Sequence, residues 1–411
     1  MKLTKLEKQW ILYDVGNSAF TLLVTTILPI YFNYLAGSAG LSDVEYLAYW
    51  GYAASVGTLL VALSGPIFGT FADYKGWKKP IFIASIAVGA VGCLALGLAK
   101  QWLMFLVIFV LAKFGYAVSL IFYDSMLTDV TTEDKMDTVS SQGYAWGYIG
   151  SCIPFAVCLV LVLCADAIGI TMELAMGLSF LLIAAWWIAS ALPLLKNYRQ
   201  AHFVERQKHA VRQTFARLWQ TIKGLYKEKQ VLFFLLAFFF YIDGVYTIID
   251  MATAYGSALG LDSTGLLLAL LVTQIVAFPC AILFGRLAQK VASEKLITVC
   301  ILAYTGIAIF AMFMKTQAQF WMLAVCVGMF QGGIQALSRS YFACIIPKEK
   351  SGEYFGLMDI CGKGAAFMGT SVVSLVSQLT GDVNKGVGAI AVLFVLGILL
   401  FRKAVSCGKK N

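Results

Sequence analysis

The sequence predicts an all-α membrane protein, with twelve transmembrane helices arranged as two six-helix, pseudo-symmetric halves. Three observations point there. The 411 residues are 60% hydrophobic and only 13% charged, against about 25% charged in ordinary soluble domains. Twelve apolar runs are long enough to cross a hydrocarbon core, which takes about 20 helical residues. The charges inside those runs sit in five of them, and the interiors of the other seven runs carry none.

The runs lie at residues 10–35, 46–72, 80–99, 102–128, 139–164 and 174–194, then at 231–256, 263–284, 294–314, 318–346, 352–377 and 385–401. This divides the chain into a first bundle over 1–194, a basic linker over 195–230 and a second bundle over 231–411. The first run has no small-x-small site at its end, so it reads as a retained span and not a cleaved leader. With both termini in the cytoplasm, 25 of the 31 Lys and Arg fall inside and only 3 outside. That asymmetry fixes the expected orientation in a plasma or bacterial inner membrane. It also explains the net charge of +9 as topological, with no nucleic-acid partner implied. A monomer in contact with lipid is the expectation.

Taken in order, the runs carry distinct polar signals. The first holds Asp14, Asn17, Thr21 and Thr25 at spacings of three and four, a polar stripe on an apolar helix. Such stripes line cavities or bond neighbouring helices, and for the threonines a bond back to their own helix is expected. After the second run comes Gly69-Thr-Phe-Ala-Asp73-Tyr-Lys75-Gly76-Trp77-Lys78-Lys79-Pro80. Here Gly69 permits close helix approach and Gly76 a tight turn. Asp73 is suited to accept from a helix N-terminus or pair with a basic residue.

The fourth run aligns Lys113, Tyr116, Leu120 and Tyr123 on one stripe and ends with Asp124. The fifth carries Gly143, Gly147, Gly150 and Ser151 for close contact, and the eleventh carries Gly362, Gly364, Ala365, Ala366 and Gly369. In the linker, Arg206 to Trp219 reads either as an amphipathic surface helix or, more plainly, as a tether rich in topogenic charge; both histidines, His202 and His209, lie there.

In the second half, the seventh run holds Asp243 and, near its outer end, Asp250. The tenth spaces Gln331, Gln335 and Arg339 every four residues, and the eleventh places Asp359 four residues before Lys363. That last pair can simply neutralise itself. Two echoes relate the halves: Tyr13-Asp14-Val15-Gly16 with Tyr241-Ile242-Asp243-Gly244, and Gly69-Thr-Phe-Ala72 with Gly285-Arg-Leu-Ala288. Gln289 stands where the second half would repeat Asp73, which predicts an asymmetric gate.

Counting inward at about 1.5 Å per residue puts Lys113 and Lys363 about 16 Å deep and Asp243 about 18 Å deep. Charges at that depth are costly and mark substrate or ion paths. The three read as a mixed-sign midplane cluster for an anionic or zwitterionic solute, or as a structural pair such as Lys113 with Asp243. Tyr116, Gln331, Gln335 and Asn17 extend the expected lining. Asp14, Asp124, Arg339 and Asp359 lie nearer the cytoplasmic end and suit a gate, together with Asp73, Gly69 and Gly76. No histidine lies in a span, so Asp243 is the candidate for proton coupling.

Nine of ten cysteines fall in apolar runs and Cys407 in the tail, with no Cys/His cluster, so they read as core hydrophobes. No Gly-x-x-x-x-Gly-Lys-Ser/Thr loop and no nucleophile–base set is present. An enzyme, an ATP-driven pump and a metal or other cofactor are therefore not expected.

The loop at Gly69–Pro80 resembles the signature loop of the major facilitator superfamily, with Trp77 in place of the usual first basic residue. Tyr13-Asp14-Val-Gly-Asn17-Ser18-Ala19-Phe20, Gly143 to Gly150, Gln335 to Ala343, and Tyr354-Phe355-Gly356 through Gly362-Lys363 resemble its vacuole-effluxer branch. That resemblance implies a secondary transporter working by alternating access, with a small solute as partner, an amino acid as the best guess, and export favoured. Protons or sodium are the coupling ions it leaves open. The alternatives are import of another organic anion or an amphiphile, a lipid flippase, or a transport-inactive receptor or scaffold.

Overall fold

The computed structural model describes residues 2–205 and 210–409. Among them twelve helices are long and apolar enough to span a bilayer. They are α1 (Lys5–Ser38), α2 (Asp43–Ala72), α3 (Lys78–Leu96), α4 (Trp102–Ser125), α5 (Met136–Leu163), α6 (Met172–Asn197), α7 (Lys229–Ala258), α8 (Ser263–Leu287), α9 (Ser293–Ala311), α10 (Gln317–Ile345), α11 (Ser351–Thr380) and α12 (Val383–Gly408). A linker helix, Ala210–Gly224, joins the two sets of six. Residues 206–209, and with them His209, lie outside the described residues.

Local chemistry sets the helix ends. Thr4 with Glu7, Ser42 with Glu45 and Thr316 with Gln319 form capping boxes at the starts of α1, α2 and α10. Each satisfies backbone N–H groups that have no intrahelical partner. Gly76 and Gly381 turn the chain at positive φ, where a Cβ is strained. In α1 the residues Leu23–Ile27 form a π turn just before Pro29. Proline lacks an N–H and crowds the carbonyl four residues back, so the wider turn relieves a clash in a membrane helix.

The halves repeat each other in detail. In the first, the Tyr13 hydroxyl of α1 meets the Ser119 hydroxyl of α4 at 2.8 Å. In the second, Tyr241 of α7 meets Ser338 of α10 at 2.7 Å. Glycine seams repeat too. A Cβ on Gly69 of α2 would overlap the carbonyl of Gly352 at the start of α11, and one on Gly285 of α8 would sit 2.7 Å from the Ser141 Cβ of α5.

The halves touch chiefly through α2 with α11, and through α5 with α8 and α10. The hydrogen bonds and ion pairs between them gather at the end that carries both termini. Among the described residues, the join furthest from that end is Tyr148 to Gln335, at 2.8 Å. Beyond it Thr21 and Thr25 of α1 and Asp250 of α7 are exposed. The molecule is thus closed at the termini end and open at the other.

Candidate functional site: a charged passage sealed at one end

The seal has three parts. The first is the α2–α11 seam, where Gly65 and Gly69 face Gly356 and Gly352. A Cβ on Gly352 would lie 2.5 Å from the Gly69 carbonyl oxygen, and one on Gly356 would lie 2.7 Å from the Pro66 Cα. This contact brings the first N–H groups of α11 onto Asp73, which caps the end of α2. The carboxylate accepts from Gly352 N–H at 2.7 Å and Glu353 N–H at 2.9 Å. A helix N-terminus favours an anion there.

Buried cations complete the seam. Lys78 lies 4.0 Å from Asp73 and 3.6 Å from Asp129, and donates to the Ser351 hydroxyl at 2.8 Å. Arg217 of the linker helix reaches Asp73 at 3.2 Å and Glu353 at 2.9 Å, one acceptor in each half. Burial pushes the Asp73 carboxyl up to about 7, while Lys78 and Arg217 pull it down.

The second part centres on Arg339 of α10. It donates to Asp124 of α4 at 2.9 Å, and to the Ser140 hydroxyl and carbonyl of α5 at 2.9 Å each. Asp14 of α1 lies 3.7 Å away and accepts from the Tyr123 hydroxyl at 3.1 Å. The guanidinium also sits over the rings of Trp10, Tyr123 and Tyr144, 4.3–5.4 Å from their centroids. Gly143 opens the space, since a Cβ there would lie 3.0 Å from Asp14 and 3.1 Å from Arg339. A planar, always-charged fork suits this mixture of carboxylates and ring faces.

The third part lies at the start of α5. Asp137 accepts from Ser293 of α9 at 2.5 Å and from Ser340 of α10. Gln289 donates to Thr138 at 3.0 Å, so the Gln at the Asp73-equivalent position makes one neutral side-chain bond. Asp73, by contrast, holds two backbone amides and two cations.

Above the seal, Lys113 of α4 is half-buried. Its Nζ donates to the Ala54 carbonyl at 3.1 Å and the Thr58 hydroxyl at 3.2 Å. Among the described residues no carboxylate lies within ion-pair distance of it. Two charges of the second half act on it through space, Lys363 and the exposed Asp250. Tyr116 bonds the Thr21 hydroxyl at 2.5 Å, and Asn17 reaches Asp14 at 3.5 Å.

The sequence and the overall fold match known proteins. The chain matches the family described as "Vacuole effluxer Atg22 like" over residues 4–136 and 128–411. It is 41% identical to the "Uncharacterized MFS-type transporter YxiO" of Bacillus subtilis (strain 168), covering 97% of this chain and 94% of that one. The chain belongs to the Atg22-like family of major facilitator transporters. It is 25% identical to Autophagy-related protein 22 of Cryptococcus neoformans var. neoformans serotype D (strain B-3501A), over 70% of this chain; the match spans 56% of that longer protein. Its fold superimposes on the transporter FucP in the outward conformation with a TM-score of 0.71 at 15% identity, covering 97% of each chain.

The transporter's predicted polar residues separate into groups. Asp14, Asn17, Asp124 and Arg339 come together, and Gly69, Asp73 and Gly76 share the α2–α3 turn region. Gln335 joins the halves through Tyr148. Gln331 is buried close by, with its carbonyl oxygen unpaired among the described residues.

The expected midplane trio does not assemble. Asp243 is fully buried within its own half, accepting from Gly369 N–H at 3.0 Å and the Thr247 hydroxyl at 3.4 Å. Among the described residues no ion pair links it to Lys113 or Lys363. Lys363 instead pairs with Asp359 one turn away. Depth follows from helical rise, but the face a residue presents follows from packing, and Asp243 turns into its own half, away from the two lysines. The threonines also split. Thr25 bonds back to the Thr21 carbonyl, whereas Thr21 bonds across to α4.

Sequence reasoning missed Lys78 as the buried cation of the seam, and missed Asp129, Asp137, Ser140, Arg217 and Glu353. The signal for the two aspartates was their position flanking the α4–α5 loop, in a chain with few acidic residues. The linker is also more than a tether, since Ala210–Gly224 is helical and carries Arg217 into the seal. A surface recess of about 590 Å³ at the termini end is lined by Gly76, Lys79, Tyr198 and Arg199, with Tyr198 donating to Asp129 behind it.

Proposed function

We propose that the transporter moves a small zwitterion, an amino acid by preference, by alternating access, with export as its working direction. The observation that carries this reading is the facing pair Lys113 and Asp250. Lys113 is a buried-stem cation held only by neutral acceptors, and Asp250 is an exposed carboxylate on the opposite half. A cation without an ionic partner in an apolar bundle is costly, and a solute carboxylate would relieve that cost. The solute's ammonium would then lie toward Asp250. Loading from both halves at once would favour their closing together above the solute.

The sealed end coincides with the basic end, and we place it in the cytoplasm of a plasma or bacterial inner membrane. On this reading residues 1–194 and 231–411 rock about the solute, with 195–230 bridging them. The gate comprises Asp73, Gly69 and Gly76 with Asp14, Asp124, Arg339 and Asp359. The solute lining comprises Lys113, Tyr116, Asn17, Gln331 and Gln335, while Lys363 is neutralised by Asp359. The effluxer name of the family supports export.

The test is a thermal-shift screen of purified protein with amino acids, dipeptides and organic acids, followed by flux of the best solute in proteoliposomes. Lys113→Gln should abolish the shift. Asp250→Asn should erase the preference for amine-bearing over plain carboxylates. Equal stabilisation of both variants and wild type by every active solute would refute the assignment.

A further inference from the structure

The linker helix has three faces. Thr214, Arg217, Leu218 and Thr221 point at the protein, with Thr214 and Thr221 buried. Phe215, Trp219 and Ile222 form a second face and are 53%, 58% and 42% exposed. Ala216, Gln220 and Lys223 form the third and are exposed. At about 100° per residue, the aromatic stripe lies about 110° around the helix from the protein-facing side. It therefore points sideways, neither into the bundle nor away from it along the bundle axis. Tyr226 follows in the next turn and is 80% exposed.

The helix also sits at a defined level. Arg217 bonds Asp73, which directly follows the membrane-spanning part of α2, and Glu353 in the first turn of α11. A lateral apolar face at the ends of spanning helices meets the headgroup layer. Aromatic rings with a polar edge belong at that layer. The charge is complementary to an acidic leaflet. Residues 210–230 hold five basic residues and one acidic residue, and the exposed Lys223 lies over the Trp219 ring at 5.0 Å.

We propose that the linker helix is a membrane-interface latch: its Phe215–Trp219–Ile222 face inserts among anionic lipid headgroups, and Arg217 on its other face then clamps the α2–α11 seam shut. Lipid charge thereby sets how firmly the termini end is sealed. The occupant is the bilayer surface, because the stripe is lateral, aromatic and flanked by cations at the level where spans end.

Hydrogen exchange on the full chain in nanodiscs tests this without any transported solute. Discs of phosphatidylcholine are compared with discs of phosphatidylcholine and phosphatidylglycerol. Backbone amides of Ala210–Gly224 should exchange roughly tenfold more slowly in the anionic discs. Trp219→Glu should remove that lipid dependence, and Trp219→Phe should retain it. Lys223→Gln with Lys227→Gln should weaken it without altering the apolar face, which covers the case of Trp219→Glu misfolding. Amides at the start of α11 should slow in parallel in wild type. In Arg217→Gln they should lose their lipid response while the linker helix keeps its own.

Identical exchange of the wild-type linker helix in both discs would overturn the proposal. So would protection that follows protein concentration with a doubled particle mass, since a second copy would then be covering the stripe.

Discussion

Arg339 of α10 and Asp124 of α4 meet at 2.9 Å across the boundary between the halves. The same guanidinium holds the backbone of α5 through the Ser140 carbonyl. One side chain of the second half thus ties together α1, α4 and α5 of the first. On the proposed alternating-access cycle these bonds would exist only while the termini end is shut.

Arg339→Gln leaves the buried Asp14 and the partly exposed Asp124 without their cation. Removing one member of a buried charge pair typically costs about 3–5 kcal/mol. The variant should melt several degrees lower and lose most of its flux. Arg339→Lys should recover part of the stability, because one ammonium cannot replace the fork that reaches Asp124 and Ser140 together. A double cycle with Asp124→Asn should show strong non-additivity, and additive losses would mean that the two side chains act separately.

Gly69→Ala introduces a Cβ that overlaps the Gly352 carbonyl. The partner is backbone and cannot rotate away, so overpacking of about 1–3 kcal/mol is expected. The seam should be forced apart, with distances between labels on the α2–α3 and α10–α11 loops lengthening while expression is normal. Unchanged distances together with unchanged flux would show that the seam tolerates a wider fit.

Asp73→Asn should slow turnover and leave equilibrium solute binding nearly intact, because the residue is remote from Lys113. The pH dependence has a definite sign. Burial in the closed seam pushes its carboxyl up to about 7 from an ordinary 3.8. Solvation on opening returns it toward the lower value. The closed form then binds the proton more tightly, so through this group the closed fraction rises as pH falls below about 7. It levels off near the ordinary value. The charged groups facing Asp73 are Lys78, Arg217 and Glu353. The same loop-to-loop distances measured against pH should show this trend in wild type and lose it in the Asn variant.

Asp243→Asn tests proton coupling separately from solute binding. Oδ1 is engaged by Gly369 and Thr247, while Oδ2 is buried without a hydrogen bond among the described residues. That free oxygen is where a proton would reside. If protons drive transport, substrate-dependent proton flux in proteoliposomes should disappear in the variant while counterflow of solute persists. Normal proton flux in the variant, or none in wild type, would remove Asp243 from the coupling step.

The spans, the two-half plan and the turn at Gly69–Pro80 were legible because they rest on local signals: run length, spaced glycines and a charge beside a turn. The Tyr13 and Tyr241 echo pointed to a true structural repeat for the same reason. The partners of Asp243 were not legible. Spanning helices are apolar toward both lipid and neighbours, so no hydrophobic stripe orients them. Asp243 could therefore be given a depth but not a direction. Arg217 was hidden differently, since nothing local in the linker says that one of its many basic residues reaches two acidic partners in separate halves.

The contact between Gly69 and Gly352 has a kinetic consequence. It is made of main chain on both sides, so no side-chain rotamers are frozen when it forms and none are released when it breaks. Entropy lost at such a contact is confined to what is already fixed within two helices. A seal built from long side chains would have to search for its arrangement on every return stroke. On the proposed cycle the two helices would need only to slide back into register, with Arg217 and Lys78 re-forming their side-chain bonds across the seam.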